Sequence, residues 1–472
     1  MLRTVIDKEV RDIVTSTKFA VAFGVCALLI IAAFYIGATH FKVSQEQYEA
    51  SKAVNLRQME GVTDWMQIQQ HRIFLPPKPL AALVSGVSND IGRTVEIVGH
   101  REITARDSKF NEEPIFAVFR LLDLEFIFQV VLSLFAILLG YDAISGEKEK
   151  GTLRLSLANA LPRSTYILGK FIGSFAALSV ALLVAIAIGC LLLPTLSISL
   201  TGEEWGRLGL IILVGLLYFG VFLGASVFVS SLTHRSSNSF LLLLVMWIMT
   251  VMVIPRASVL LAGRAVDVPS VDEIDAEKAT LASQLWEEFR ADLSGFKPSS
   301  NSQADIEKTM DEFNKYMDSL TTLRNEKIAA VTDRLNESRR NAQVSQQRLA
   351  FDLARLSPAT SLTLATGTLA GTSLDLKGHF LEEALAYREG YYDFMEEKTG
   401  VNMRGGGMFM RMSHGEEEPD PINPRELPDF RYQPATLAAS VESAVVDMGI
   451  LALFNLLFFA GAVMAFLKYD AR

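Results

Sequence analysis

Six apolar stretches of roughly twenty residues or more dominate this sequence, and each is long enough to cross a bilayer. They cover residues 19–38, 124–141, 167–194, 208–232, 240–261 and 448–467. A hydrocarbon core about 30 Å thick takes roughly 20 helical residues at about 1.5 Å each. The second stretch is the least clean, because Asp123, Glu125 and Gln129 lie in or beside its first turns. Only closed barrels and helices satisfy their backbone polar groups in lipid, and runs of this length select helices. The expected fold class is an all-α polytopic membrane protein with six transmembrane helices. Composition agrees: half of the 472 residues are hydrophobic and 21% are charged, against about 25% charged in soluble domains.

The first stretch is longer than a signal-peptide core, acids and bases mix ahead of it, and no small-x-small cleavage site follows. It reads as a retained anchor. A net charge of −9 argues against nucleic acid as a partner. The two cysteines, Cys26 and Cys190, both lie inside apolar blocks and support neither a disulfide framework nor a metal cage.

Orientation follows from Lys and Arg near the span ends. Arg3, Lys8, Arg11 and Lys18 precede the first span. Lys148, Lys150, Arg154 and Arg163 follow the second, with Lys170 just inside the third; His234 and Arg235 follow the fourth, and Lys468 and Arg472 follow the sixth. The loop 195–207 instead carries Glu203 and Glu204 against one Arg. Both termini are therefore expected in the cytoplasm, with loops at 142–166 and 233–239 and a tail at 468–472 on that side. Segments 39–123 and 262–447, more than half the chain together, are expected outside.

The large outside segment reads as mostly helical. Ser270 and Glu273 have capping-box spacing, and Ile274, Leu281, Leu285, Phe289 and Leu293 recur on one face, interrupted by Lys278. Residues 294–302 (SGFKPSSNS) read as a turn. Ile306, Met310, Phe313, Met317 and Leu320 then resume a helical period, continued less regularly through Ile328, Val331, Leu335 and Leu353. A helical hairpin is the expectation, with a compact bundle as the alternative. Residues 356–374 (LSPATSLTLATGTLAGTSL) are too polar to span, and either lie at the outer interface or pack on the spans. Segment 39–123 combines Pro76, Pro77 and Pro79 with alternating runs, which suggests a small α/β module. Met408, Met410, Met412 and His414 are soft donors of the kind copper(I) takes. Their spacing is not that of a ligand set and Phe409 points to burial, so a Gly-rich loop covering an apolar patch is favoured and no metal is assigned.

At the amino terminus (1–18), Leu2, Val5, Ile6, Val10, Ile13 and Val14 share one helical face, with Arg3, Asp7, Lys8, Arg11 and Asp12 elsewhere. Such a helix suits the membrane interface.

The most informative stretch is Tyr141–Lys170, YDAISGEKEKGTLRLSLANALPRSTYILGK. Leu153, Leu155, Leu157, Ala158, Ala160 and Leu161 are too few to span but enough to seat a short helix on a partner. This run resembles the cytoplasmic loop of permease subunits in the ABC-2 exporter family. The resemblance rests on Asp142, Ile144, Ser145, Gly146, Glu147, Lys148, Glu149, Gly151, Thr152 and Leu153, then Pro162, Arg163, Leu168, Gly169 and Lys170. The family's Pro-x-Ser-Arg order is altered here to Pro162-Arg163-Ser164. Further matches are Ser231–Ser239, Ile254-Pro255-Arg256, Leu356-Ser357-Pro358, Leu427-Pro428-Asp429-Phe430 and Lys468–Arg472. They are similar to a subgroup with large outside insertions, the gliding-motility and nitrous-oxide-reductase copper-maturation permeases.

The resemblance implies a coupling helix that docks on an ATPase subunit, present in two copies, and an elbow helix before the first span. It also implies a second permease protomer, the same or a related chain, in a bacterial inner membrane. Gly146, Glu147, Glu149, Lys150, Gly151, Thr152, Pro162 and Arg163 are the coupling candidates, with Glu147, Glu149, Lys150 and Arg163 expected to touch the ATPase. No phosphate loop occurs, since Leu168-Gly169-Lys170 is followed by Phe171. ATP and Mg are therefore expected on the partner subunit, no cofactor on this chain, and no enzymatic activity of its own. Asp123, Glu125 and Arg256 sit at the outer ends of spans two and five, where an ion pair would gate the exit; snorkelling to the interface is the equal alternative. The function expected is export of a substrate. The alternatives are transmission of motion to an envelope protein without transport, or a polytopic sensor or scaffold.

Overall fold

A computed structural model describes residues 2–68, 71–88, 91–97, 105–106, 123–153, 162–296, 306–400 and 421–468. Six helical segments are long and apolar enough to cross a membrane: Thr17–Arg57, Leu124–Glu149, Arg163–Thr195, Gly202–Leu232, Ser236–Ala265 and Leu437–Leu467. Each contains one of the six apolar stretches. The chain is an all-α polytopic membrane protein.

Before the first span lies α1 (Leu2–Val14). The first spanning helix, α2 (Thr17–Arg57), is 41 residues long and continues beyond the apolar stretch that ends at residue 38. No Gly or Pro follows Gly37 until after Arg57, so nothing stops the helix where its apolar run ends. The second span begins as α3 (Leu124–Phe126), passes through a π-helical segment, Ile127–Leu132, and continues as α4 (Ser133–Gly140) and, after a turn, α5 (Ser145–Glu149). The third and fourth spans are α6 (Arg163–Thr195) and α7 (Gly202–Leu232), the latter opened by a Thr201–Glu204 capping box. The fifth runs as α8 (Ser236–Trp247), a π-helical segment, Ile248–Val253, and α9 (Ile254–Ala265).

A π turn releases carbonyls from the helix ladder, and side chains collect them here. Tyr218 of α7 donates to the Gln129 carbonyl at 2.9 Å, and Ser357 donates to that of Thr250. Trp247 Nε1 donates to Ser133 Oγ at 2.7 Å, tying the second span to the fifth.

The chain divides into two compact units, residues 1–255 with 355–472 and residues 256–354. In the first, α12 (Pro358–Ala370) packs against both α7 and α14 (Leu437–Leu467), the sixth span. The weakly apolar 356–374 stretch therefore lies in the bundle, with Ala359, Leu362, Ala365 and Leu369 fully buried. Arg207 of α7 holds the end of α12, donating to the Leu369 carbonyl and Ser440 Oγ at 3.0 Å each.

Beside the bundle lies a small module. Strands β1 (His71–Phe74), β2 (Thr94–Ile97) and β3 (Ala105–Arg106) form an antiparallel sheet in that order, with His71 opposite Ile97 and Thr94 opposite Arg106. Helix α13 (Asp375–Thr399) closes it, burying Leu376, Phe380, Ala384, Tyr391 and Met395 against Ile73, Leu75, Val95 and Ile97. The α/β module thus draws on both long segments, which the sequence suggests as separate objects.

His71 sits in this core, stacked on Tyr391 with ring centroids 5.1 Å apart. Tyr387 donates its hydroxyl proton to the Pro428 carbonyl, so His71 Nε2 must donate to Tyr387 Oη, 2.7 Å away. Nδ1 is buried with no hydrogen-bond partner, and burial pushes the imidazole down to about 4. Its native value lies below its unfolded one, so stability is complete above about 6.5 and falls as the pH drops toward 4. Over that window about 3 kcal/mol of module stability should be lost, and His71→Gln should flatten the dependence. Amide exchange of residues 71–75 between pH 7 and 4 measures it; an unchanged pH profile in the variant would refute the assignment.

The second unit is a helical hairpin of α10 (Val271–Ser294) and α11 (Ile306–Ala354), following most of α9. Ser270 and Glu273 form the capping box, and Ile274, Leu285 and Phe289 are buried. The arms are antiparallel: Gln346 bonds to the Val266 carbonyl, Arg339 to Pro269 and Tyr316 to Asp292. Arg324 lies over Trp286 and Phe289, at 4.4 and 4.9 Å from their ring centres.

Candidate functional site

The second span ends tightly against α7: a Cβ on Gly140 would come within 2.6 Å of Ser226 Cβ. After the turn, Ser230 of α7 accepts from the amides of Ile144 and Ser145 at 3.0 and 2.8 Å. These belong to the orphan donors at the start of α5, so the short helix is anchored at its first turn.

The charged side chains around α5, Lys150 excepted, bond to other helices. Glu147 points inward. Its carboxylate lies 3.0 Å from Lys170 Nζ of α6 and 4.0 Å from Lys8 of α1, and the Tyr166 hydroxyl donates to it. Lys170 also donates to Glu9 of α1 at 2.9 Å, and Ser174 to the same carboxyl at 3.2 Å. Glu9 and Lys170 are 8% and 5% exposed. One ammonium between two carboxylates leaves an excess negative charge, which Lys8 and the Tyr166 donor offset. Buried charges require this kind of matching. The approach of α1 to α6 depends on Gly169 and Gly173, where a Cβ would meet Val5 at 2.7 Å and Glu9 at 2.8 Å.

Lys148 and Glu149 divide between two other spans. Lys148 Nζ donates to the Ser231 and Thr233 carbonyls at the end of α7, while Glu149 accepts from Ser236 N and Oγ, at 3.3 and 2.9 Å, at the start of α8. A cation at a C-terminus and an anion at an N-terminus both match the helix dipole. Arg163 donates to the Leu467 carbonyl at 2.9 Å, at the end of α14. Asp142 pairs with Lys18 at 2.8 Å in the first turn of α2. One short loop thus grips α1, α2, α6, α7, α8 and α14. Gly151, with φ +73° in the left-handed region, ends α5 and leaves Lys150 and Thr152 exposed. Leu153 returns to a small core with Ile144, Tyr166, Ile167 and Phe466.

The pattern of this loop and the six spans extends to known proteins. A family model described as ABC-2 family transporter protein matches residues 3–471. This chain belongs to the ABC-2 transporter family. It is 37% identical over 127 residues to the probable ABC transporter permease protein NosY of Stutzerimonas stutzeri, covering 26% of this chain and 45% of that protein. It is 35% identical over 96 residues to the protein of the same name from Pseudomonas aeruginosa, covering 19% and 35%. The aligned stretches thus cover less than half the length of these curated relatives. The names agree with the subgroup expected from the sequence, and the chain is an ABC transporter membrane subunit.

Among the coupling candidates, Gly146, Glu147, Glu149, Lys150, Gly151, Thr152, Pro162 and Arg163 lie together at this loop; residues 154–161 fall outside the described residues. The Glu147 carboxylate is engaged by Lys170 and Tyr166. Arg163 and Glu149 are helix-end partners as well as surface residues. The sequence reading passed over Glu9, although it lies four residues after Val5 on the apolar face of α1, and it gave Lys170 no partner inside an apolar run. Those two misplaced charges were the available signal.

At the opposite end of the spans, Asp123 caps α3 through Phe126 N at 2.8 Å and accepts from Ser85 Oγ at 2.8 Å. Glu125 lies against Thr363 of α12, and Arg256 stands in the first turn of α9. A half-buried ion pair missed by the sequence reading joins Arg355 to Asp447 of α14, at 2.8 and 3.2 Å through two nitrogens. Met408, Met410, Met412 and His414 lie outside the described residues.

Proposed function

We propose that this subunit couples ATP hydrolysis on a separate ATPase subunit to rearrangement of its own spans during export of a substrate. The observation that carries the reading is the α5 loop, where Asp142, Lys148, Glu149 and Arg163 hold helix ends and Glu147 holds side chains of α6 and α1. A force applied there reaches α1, α2, α6, α7, α8 and α14 together. In this reading the loop and both termini face the cytoplasm of a bacterial inner membrane, as the Lys and Arg distribution favours. Two ATPase copies would bind ATP and Mg, and a second permease protomer would complete the path. Lys150, Gly151, Thr152 and Pro162, with the outer side of Glu149, form the docking edge. Glu147 acts behind it, passing movement to α6 and the elbow helix α1.

Purification from native membranes in mild detergent tests this. A nucleotide-binding subunit should co-purify, and Lys150→Glu with Thr152→Glu should lower its recovery at least about tenfold, a loss of about 1.4 kcal/mol in binding. Lys150→Arg should retain it. Recovery of a different envelope or signalling protein, with no ATPase, would instead support a sensor or scaffold.

A second reading, transmission of motion without transport, is favoured by α2. This helix runs unbroken from the Lys18–Asp142 pair to Asn55, which bonds to both the carbonyl and the amide of Arg72 in the sheet module. At about 1.5 Å per residue it carries a displacement over roughly 60 Å. Substrate flux into reconstituted vesicles separates export from transmission.

A further inference from the structure

Two hydrophobic cores meet along one short segment. Leu75 belongs to the core of the sheet module, with Ile73, Val95 and Ile97. Leu80, Leu83 and Val84 belong to the core of the span bundle, at 2%, 2% and 0% exposure. Between them stands Pro76-Pro77-Lys78-Pro79. Proline fixes φ and constrains the residue before it, so this passage resists bending. Lys78 is itself extended, at φ −96° and ψ 135°.

Both ends of the passage are anchored. On the module side, Leu75 N donates to the Arg93 carbonyl at 2.8 Å, extending the pairing of β1 with β2. On the bundle side, residues 82–87 touch three separate elements. A Cβ on Gly37 of α2 would come within 1.8 Å of the Ala82 carbonyl oxygen. The Leu83 carbonyl accepts from Leu124 N at 2.8 Å, and Ser85 bonds to Asp123, at the start of the second span. Thr372, just past α12, donates to the Val84 carbonyl at 3.1 Å and accepts from Val87 N at 3.0 Å. Gly86, at φ +47°, permits that approach, since a Cβ there would lie 2.4 Å from the Thr372 oxygen. Lys78 itself donates to the Gly371 carbonyl at 2.9 Å and lies over the Tyr432 ring.

From this geometry we infer that residues 75–88 are a second coupling element, a proline strut that carries movement of α2, α3 and α12 into the sheet module. The inference rests on the proposed coupling to an ATPase, and it assigns the module a driven role rather than that of a passive cover. Movement of the spans relative to one another has no soft joint here in which to dissipate. The sheet must follow the three elements that grip the strut.

The test uses the complete complex with its co-purified ATPase in lipid nanodiscs, comparing nucleotide-free protein with protein trapped by ATP and vanadate. Hydrogen exchange is read for peptides covering residues 71–75 and 91–97. In the wild type, trapping should change their exchange rates at least about fivefold, the low end for coupling between distant sites. Pro76→Gly with Pro77→Gly should sharply reduce the change while ATP hydrolysis continues, leaving only what reaches the module through the Asn55 link from α2. The milder Pro77→Ala, with normal protection in the absence of nucleotide, should give an intermediate change, which keeps the test valid if the double variant unfolds the module. A wild-type module that ignores trapping while its spans respond would overturn the strut and leave the ABC subunit reading standing. A Pro76→Gly, Pro77→Gly variant that is folded and responds fully would also overturn it. Complete absence of a nucleotide-hydrolysing partner would remove both.

Discussion

Replacing Lys170 with Met is expected to destabilise the protein by about 3–5 kcal/mol, because Glu9 and Glu147 would be left as unbalanced buried carboxylates. The loss should be read as a fall in the thermal midpoint of the detergent-solubilised protein. It should not be additive with removal of the carboxylates: Glu9→Gln, Glu147→Gln and Lys170→Met together should recover most of the stability, since a buried charge cluster is often replaceable as a unit. Function should part company with stability there. The triple variant no longer links α5 to α6 and α1 electrostatically, so it should keep its fold and its ATPase partner while transport falls. A Lys170→Met midpoint equal to that of the wild type would show that the cluster does not hold the elbow helix. A triple variant that transports normally would remove Glu147 from the coupling route.

Replacing Arg355 with Leu should have the next largest effect, about 2–4 kcal/mol, because Asp447 is enclosed within α14 and loses its two-nitrogen partner. The estimate is below that for Lys170 because the Arg355 side chain is about a quarter exposed. The consequence should be local. Arg355 lies two residues before the Ser357 cap of α12, so α12 should lose protection in hydrogen exchange before α6 or α7 does. Pairing the change with Asp447→Leu should restore protection. If the single variant exchanges like the wild type throughout α12, the ion pair does not fix that helix in the bundle.

These two clusters also show why a sequence reveals some of this protein and hides the rest. The six spans were legible because an unbroken apolar run has one stable arrangement in lipid, and the hairpin because Ser270, Glu273 and the Leu285–Phe289 face encode a helix locally. The α5 loop was legible as a motif. Its arrangement was not, because Glu147 finds Lys170 across 23 residues and Lys170 finds Glu9 across 161. Residues 356–374 were ambiguous because Ser and Thr lower the apparent hydropathy. In the fold, Thr366 returns its hydroxyl to the Leu362 carbonyl at 2.9 Å, one turn back, which removes most of the cost of burying it. The first apolar stretch ends at residue 38 but its helix does not, because a helix in water continues until a residue breaks it.

The sequence by itself therefore determined the membrane class, the number of spans and the family, and it singled out the 142–166 loop as a motif, all of which depend on local composition and spacing. Only the tertiary structure decided which groups Asp142, Glu147, Lys148, Glu149 and Arg163 of that loop meet, and that α12 lies inside the bundle. It alone built one module from α2, three strands and α13, and joined that module to the spans through the prolines at 76, 77 and 79. Such pairings depend on which distant groups are brought out of water together. Burial makes their matching obligatory, but nothing in the local chain says which partner will be there.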